Sequence, residues 1–269
     1  MQYAAKSDMG RIRKNNEDSY FADPETGLFL VADGMGGHSS GEVASKMACE
    51  IISGDVKTSL DAADGKAKTI YGETNPAVSD ASNSLLSAIR LANRMIFEAG
   101  AGQAQNHGMG TTLAAVLIRN KTYTIAWVGD SRVYLVRHGL LQQLTSDHSL
   151  VQEQINKGLI SSEQAEASEF KNVLTRALGA SEDVEVDVAE TAALEGDYLL
   201  LCSDGLTRMV ADRLILETIK KCEDPENICG ELIGLANKAG GRDNVTAVVI
   251  SNKEENFWKK FMKSVANLS

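Results

Sequence analysis

The sequence predicts an α+β layered domain, and three observations carry that expectation. Short apolar or alternating segments bounded by Gly, Asn or Asp recur through the middle and end of the chain. Long amphipathic helical patterns lie before and after them, and no regular βαβ alternation occurs. Helices covering the outer faces of antiparallel sheet satisfy all three.

In chain order, GLFLVAD (27–33) reads as a strand and GEVASKMACEIISGDV (41–56) as a helix. Residues 57–82 are polar and small, the composition of a surface loop, and NSLLSAIRLANRMIFEAG (83–100) is again helical. TTLAAVLI (111–118), YTIAWVG (123–129) and RVYLVR (132–137) are strands, and the turn signals RNK (119–121) and RHG (137–139) divide this region into a meander of hairpins. SLVQEQINKG (149–158) is a helix. The acidic SSEQAEASEF (161–170) reads as solvated helix and loop, with a mobile flap beside a cleft as the sharper alternative. DYLLLCSD (197–204) and NVTAVVIS (244–251) are strands, with helices ADRLILETIKKC (211–222) and ENICGELIGLANKAGG (226–241) between them. The amphipathic tail NFWKKFMKSVANLS (256–269) sets Phe257, Trp258, Phe261 and Met262 at near-helical spacing, which favours packing on the core over a membrane anchor. The expected organisation is one domain over 1–252 followed by a tail over 253–269.

Composition narrows the function classes. The chain has 269 residues, 43% hydrophobic and 24% charged, which suits a globular core. A formal charge of −10 argues against nonspecific binding to nucleic acid or an anionic membrane. Cys49, Cys202, Cys222 and Cys229 form no CxxC pair and suit buried thiols in a reducing compartment. With no apolar run of signal-peptide or membrane-span length, the expectation is a cytoplasmic protein.

The chemistry lies in acids placed beside strand ends: Glu17 and Asp18 in NNEDSY, Asp33 in VADGMGG, Asp130 in WVGDSRVY, Asp204 in LLLCSDGLT and Asp243 in GGRDNVT. Singly, each suits a turn or a helix cap. As a set, acids at the ends of segments too apolar for the surface must be neutralised if they converge, because desolvating unpaired carboxylates is costly. Few basic residues lie near these strand ends, so divalent cations are the expected neutralisers. An all-oxygen donor set selects magnesium or manganese over zinc. Asp33, at the end of a rigid strand, is placed to bridge two ions, and the glycines after it let backbone and substrate approach. The stretch is not a dinucleotide fingerprint, since Ser39 stands where the last glycine of GxGxxG belongs. Arg11, Arg13 and Lys14 precede the first acids, and a guanidinium there suits a phosphate dianion.

The motifs SDMGRIRKNNEDS, VADGMGGHSSGEVAS, GMGTTLAAVLI, VGDSRVYLVRHGLLQQLTSDHSLV, LTRALG, LLLCSDGLT and GGRDNVTAVVI, in this order over residues 3–251, resemble the PPM family. These are the metal-dependent protein serine/threonine phosphatases of the protein phosphatase 2C type, and the likeness is greatest to compact bacterial members. The resemblance implies a sandwich of two antiparallel sheets flanked by antiparallel helices. It makes Asp33 the bridging ligand and Gly34 a carbonyl ligand of the second ion. Asp204 and Asp243 would hold the first ion, Glu17 and Asp18 act on or behind the second through water, and Asp130 with Asp204 bind a third, weaker ion. Arg13 matches the phosphate-binding arginine. Relatives that carry a histidine two places after the bridging aspartate differ from this chain, which has Met35 there, leaving His38 or a metal-bound water as candidate general acid. His148 reads as structural.

The implied reaction is hydrolysis of phosphoserine or phosphothreonine by a metal-bridging hydroxide attacking in line, without a phosphoenzyme. Phosphorylated proteins, a cognate serine/threonine kinase among them, would be the partners of a monomeric signalling enzyme, selected through residues 146–182 and surface loops. A noncatalytic phosphoprotein-binding module of the same fold is the alternative. Aspartate-nucleophile phosphotransfer fits less well, because Leu206 stands where CSDGLT would need a second aspartate.

Overall fold

The computed structural model describes residues 1–36, 40–61, 70–102 and 108–253. Two antiparallel sheets lie face to face. The first has the order β1-β11-β10-β7-β8, from β1 (Gln2–Asp8), β11 (Val245–Ser251), β10 (Tyr198–Cys202), β7 (Arg132–Arg137) and β8 (Leu140–Gln143). The second has the order β2-β3-β5-β6-β9, from β2 (Asp18–Asp23), β3 (Leu28–Met35), β5 (Leu113–Arg119), β6 (Thr122–Val128) and β9 (Asp187–Ala192), with β4 (Gly110–Thr111) pairing the end of β3.

Strand periodicity explains the layers. In β3, Leu28, Leu30 and Ala32 pack against α1 (Ser40–Asp61) and α2 (Asp80–Gly102), while Phe29 and Val31 face the other sheet. In β11, Val245, Ala247 and Val249 meet α7 (Pro225–Lys238) and its neighbour α6 (Asp212–Cys222), while Val248 and Ile250 turn inward. Both faces of each central strand are therefore covered, and each fully buried Leu or Val contributes about 1.5–3 kcal/mol relative to exposure. The result is helix, sheet, sheet, helix, as the resemblance implied.

Several expectations need correction. Strands β1, β2, β8 and β9 were not anticipated, because they lie toward the sheet margins and mix polar with apolar residues. Residues 57–61, expected in a loop, continue α1 to Asp61. The middle strands are not one meander. The RNK turn closes a β5–β6 hairpin with Asn120 at φ 48° and Lys121 at φ 59°, and RHG closes β7–β8 with His138 at φ 52° and Gly139 at φ 76°, both tight turns of primed handedness. Between these hairpins the chain leaves one sheet for the other at Gly129, Asp130 and Ser131. Gly129 has φ 101°, and a Cβ there would stand 2.7 Å from the Thr112 side chain, so the crossover requires glycine and puts Asp130 at the corner.

The segment after β8 forms α3 (Leu150–Asn156) and α4 (Ser162–Glu166), the latter closed by a capping box of Ser161 and Gln164. LTRALG pins its return to the sheet through paired Thr111 and Leu178 backbone bonds of 3.0 and 2.8 Å. The tail expected over 256–269 lies outside the described residues.

Candidate active site

Antiparallel strands alternate direction, so one end of the sandwich collects the C-termini of β3, β6 and β10 and the N-termini of β2, β7 and β11. That end carries Asp33, Asp130, Asp204, Asp18 and Asp243. Asp18 stands directly opposite Asp33 in the β2–β3 register, a like-charge pair that a sheet does not favour. The Asp33 backbone is clamped by the two threonines between β3 and β5: its N–H donates to Thr112 Oγ1 at 3.0 Å, and its carbonyl accepts from Thr112 N and Thr111 Oγ1 at 2.9 Å each. At Gly34 the chain passes so close to the start of α1 that a Cβ would lie 2.1 Å from the Gly41 carbonyl oxygen.

Asp33, Asp204, Asp18 and Asp130 hold their protons above the usual carboxylate range, burial being the first cause in each. Burial and then the charges of Asp18, Asp204, Asp130 and Asp243 push Asp33 well up. Burial, aided by Asp130, raises Asp204 to about 7 despite Arg208. Burial raises Asp18 to about 6 against the hydrogen bonds it accepts on Oδ2 from Thr246 at 2.6 Å and Ser203 at 2.7 Å. Asp18 Oδ1 and Asp204 Oδ1 are buried with no hydrogen-bond partner. Glu17 accepts from Asn15 Nδ2 at 3.0 Å on Oε1.

Cations stand closer than the sequence suggested. Arg13 Nη2 donates to Asp243 Oδ2 at 2.9 Å, and Arg208 Nη2 donates to Asp130 Oδ2 at 3.1 Å and also pairs with Asp204 Oδ2. The expectation of few basic residues near these strand ends is thus corrected, because the first turn of α5 (Asp204–Thr207) brings Arg208 back over the acid that starts it. The charges of Asp18, Asp130 and Asp243 reach both Asp33 and Asp204. Among the described residues, however, no three such side chains close to the spacing of one ion's coordination shell.

Sequence reasoning also missed Asn244, Ser203 and Thr246. Buried Asn244 accepts from Glu17 N at 2.8 Å and donates to the carbonyls of Met9 at 3.0 Å and Asn15 at 2.9 Å, so it ties the arginine-bearing loop to β11. Its signal was its place next to Asp243 in GGRDNVT. His148 accepts from Gly129 N–H on Nδ1 at 3.1 Å, stacks on Trp127 and keeps Nε2 3.4 Å from Asp187, so it braces the crossover outside the acid cluster. His38 lies outside the described residues. Arg11 donates its backbone N–H to the Gly241 carbonyl at 2.7 Å, and Lys14 is exposed.

From the acids a cleft of about 960 Å³ runs between α5 and the α3–α4 segment. Asp130, Asp204 and Asp243 line it together with Ile155 of α3 and Ala165 and Glu166 of α4. Of the acidic segment, Ser162, Ala165 and Glu166 therefore line the cleft.

The donor set fits hard divalent cations. It is all oxygen, it repels itself, and two of its buried oxygens lack any donor. The layered fold and this acid-lined cleft define a class, the two-sheet enzymes that work at a carboxylate cluster on one end of a sandwich. Comparison with known proteins makes the assignment specific. The protein phosphatase 2C family model matches residues 11–228, and the chain belongs to that family. The serine/threonine phosphatase stp of Listeria innocua is 37% identical over 258 residues, spanning 95% of this chain and 96% of the relative. The crystal structure of the Mycobacterium tuberculosis serine/threonine phosphatase PstP/Ppp aligns with a TM-score of 0.81 at 36% identity, covering 94% of this chain and 99% of that one. The PstP catalytic domain in complex with two manganese ions aligns with a TM-score of 0.76 at 37% identity, covering 92% and 96%.

Proposed function

We propose that this chain is a divalent-metal-dependent protein serine/threonine phosphatase, a monomeric cytoplasmic enzyme that hydrolyses phosphoserine and phosphothreonine in proteins, a cognate kinase among them. The observation that carries the reading is the pair of donorless buried oxygens, Asp18 Oδ1 and Asp204 Oδ1, beside acids whose charges push up the pKa of Asp33 and Asp204. Such a set is held together by positive charge. Asp33, Gly34, Asp204 and Asp243 would hold manganese or magnesium, with Glu17 and Asp18 behind them, and the ions when bound would lower the pKa of water and offset phosphoryl charge. Among the described residues no helix is long and apolar enough to cross a membrane.

The protein's own groups supply the rest. Arg13 is half exposed and pairs through Nη2 with Asp243, which lines the cleft, so its other N–H groups remain to take two phosphoryl oxygens side by side. Asn244 fixes the loop that carries Arg13, and the pinned Asp33 backbone fixes the direction of its carboxylate. The cleft wall of α3 and α4 receives the peptide on either side of the phosphorylated residue. Hydrolysis of a phosphothreonine peptide and of p-nitrophenyl phosphate with added manganese tests the reading. Activity in manganese that chelator abolishes is expected; activity that survives chelator, or a covalent aspartyl-phosphate trapped during turnover, would overturn it.

A further inference from the structure

We propose that the Arg208 guanidinium is a tethered substitute for a third cation, bridging Asp130 and Asp204 so that the cleft takes two divalent ions and refuses another. The proposal rests on reading Asp204 as a ligand of the first ion. Arg208 Nη2 lies 3.1 Å from Asp130 Oδ2 and pairs with Asp204 Oδ2 as well, so one nitrogen joins the two carboxylates to which the family resemblance gives a third ion. Its position is built in: Arg208 follows Asp204 by one turn, and its backbone N–H donates to the Asp204 carbonyl at 2.9 Å. Asp204 is divided by this arrangement. Oδ2 is committed to the guanidinium, while Oδ1 is buried without a donor and remains free for a core ion. A guanidinium does not lose its charge in proteins, and covalent attachment gives it a local concentration that no weakly held ion matches. A third ion would have to strip both carboxylates from Arg208, leaving two positive charges at one corner.

Manganese counting on the full chain tests this. Protein stripped with chelator is titrated with manganese chloride, and unbound ion is read from the paramagnetic resonance of the aqueous ion. The wild-type chain is expected to level off at about two ions per chain. Arg208→Gln is expected to bind one ion more, and Arg208→Lys, which keeps the charge, to stay at the wild-type count. An extra ion on the wild-type chain, or no extra ion on a folded Arg208→Gln, overturns the proposal and leaves the two-ion reading standing. Should Arg208→Gln fail to fold, Asp130→Asn decides: an unchanged ion count supports the arginine as the partner of Asp130, and a lost ion contradicts it. A wild-type chain that binds no manganese removes both the proposal and the reading beneath it.

Discussion

The two ends of β10 each carry a buried aspartate, and the chain treats them in opposite ways. Asp197, just before the strand, is 1% exposed and fully partnered: Arg137 meets both its oxygens at 2.8 and 2.7 Å, and Leu194 N–H adds a bond at 2.9 Å. Asp204, two residues past the other end, is 8% exposed, has one donorless oxygen and shares its surroundings with Asp130, Asp243 and Asp18. A buried acid whose hydrogen bonds are complete holds structure together. A buried acid kept short of donors, among others like it, waits for a positive ligand.

The largest contrast is in catalysis. Asp204→Asn is expected to lower manganese-supported phosphopeptide hydrolysis by on the order of 10²–10³-fold or more, while Asp197→Asn keeps near-normal turnover at temperatures where it is folded; steady-state kinetics on both variants checks this. Stability inverts the order. Asp197→Asn breaks a buried bidentate pair and is expected to cost about 3 kcal/mol in urea unfolding. Asp33→Asn, by removing a carboxyl that must either take up a proton or bury a charge its neighbours repel, is expected to raise the unfolding midpoint of the metal-free chain at neutral pH, and a lowered midpoint would contradict that cause.

The pH dependence follows from the same acids. Asp18 at about 6 and Asp204 at about 7 hold protons in the folded state at pH values where the unfolded chain, with carboxylates near 3.8, has released them. Their contribution is fully present below the unfolded value and is lost as pH rises through the folded values. Metal-free protein should therefore lose stability from about pH 4 to about pH 7, by thermal melts in chelator, and manganese should restore it at the upper end. The smallest effect is expected at Thr246→Val, which keeps the volume but removes a donor to Asp18: about 1–2 kcal/mol in the same melts.

How legible all this was depended on how local each signal was. Strands β3, β5, β10 and β11 are covered on both faces, so they stand out as apolar runs. QYAAKSD and DVAETA lie at sheet edges with half-exposed faces, and their alternation is too weak to separate from loop. The change of sheet at Gly129 had no readable signal, since a tight loop joins two strands in the same way whether they share a sheet or not. In the site, Asp33, Asp130, Asp204 and Asp243 could be listed because each punctuates a strand. The bonds that decide their roles, such as Ser203 to Asp18 across 185 positions, exist only after folding. Arg208 is the exception: its spacing from Asp204 was visible, but only knowledge that a helix starts at Asp204 turns that spacing into contact.

The most direct test of the central claim is diffraction at the manganese absorption edge from crystals grown with manganese. The account predicts anomalous peaks in contact with the carboxylates of Asp33, Asp204 and Asp243. A fully ordered site with no peak there would contradict it.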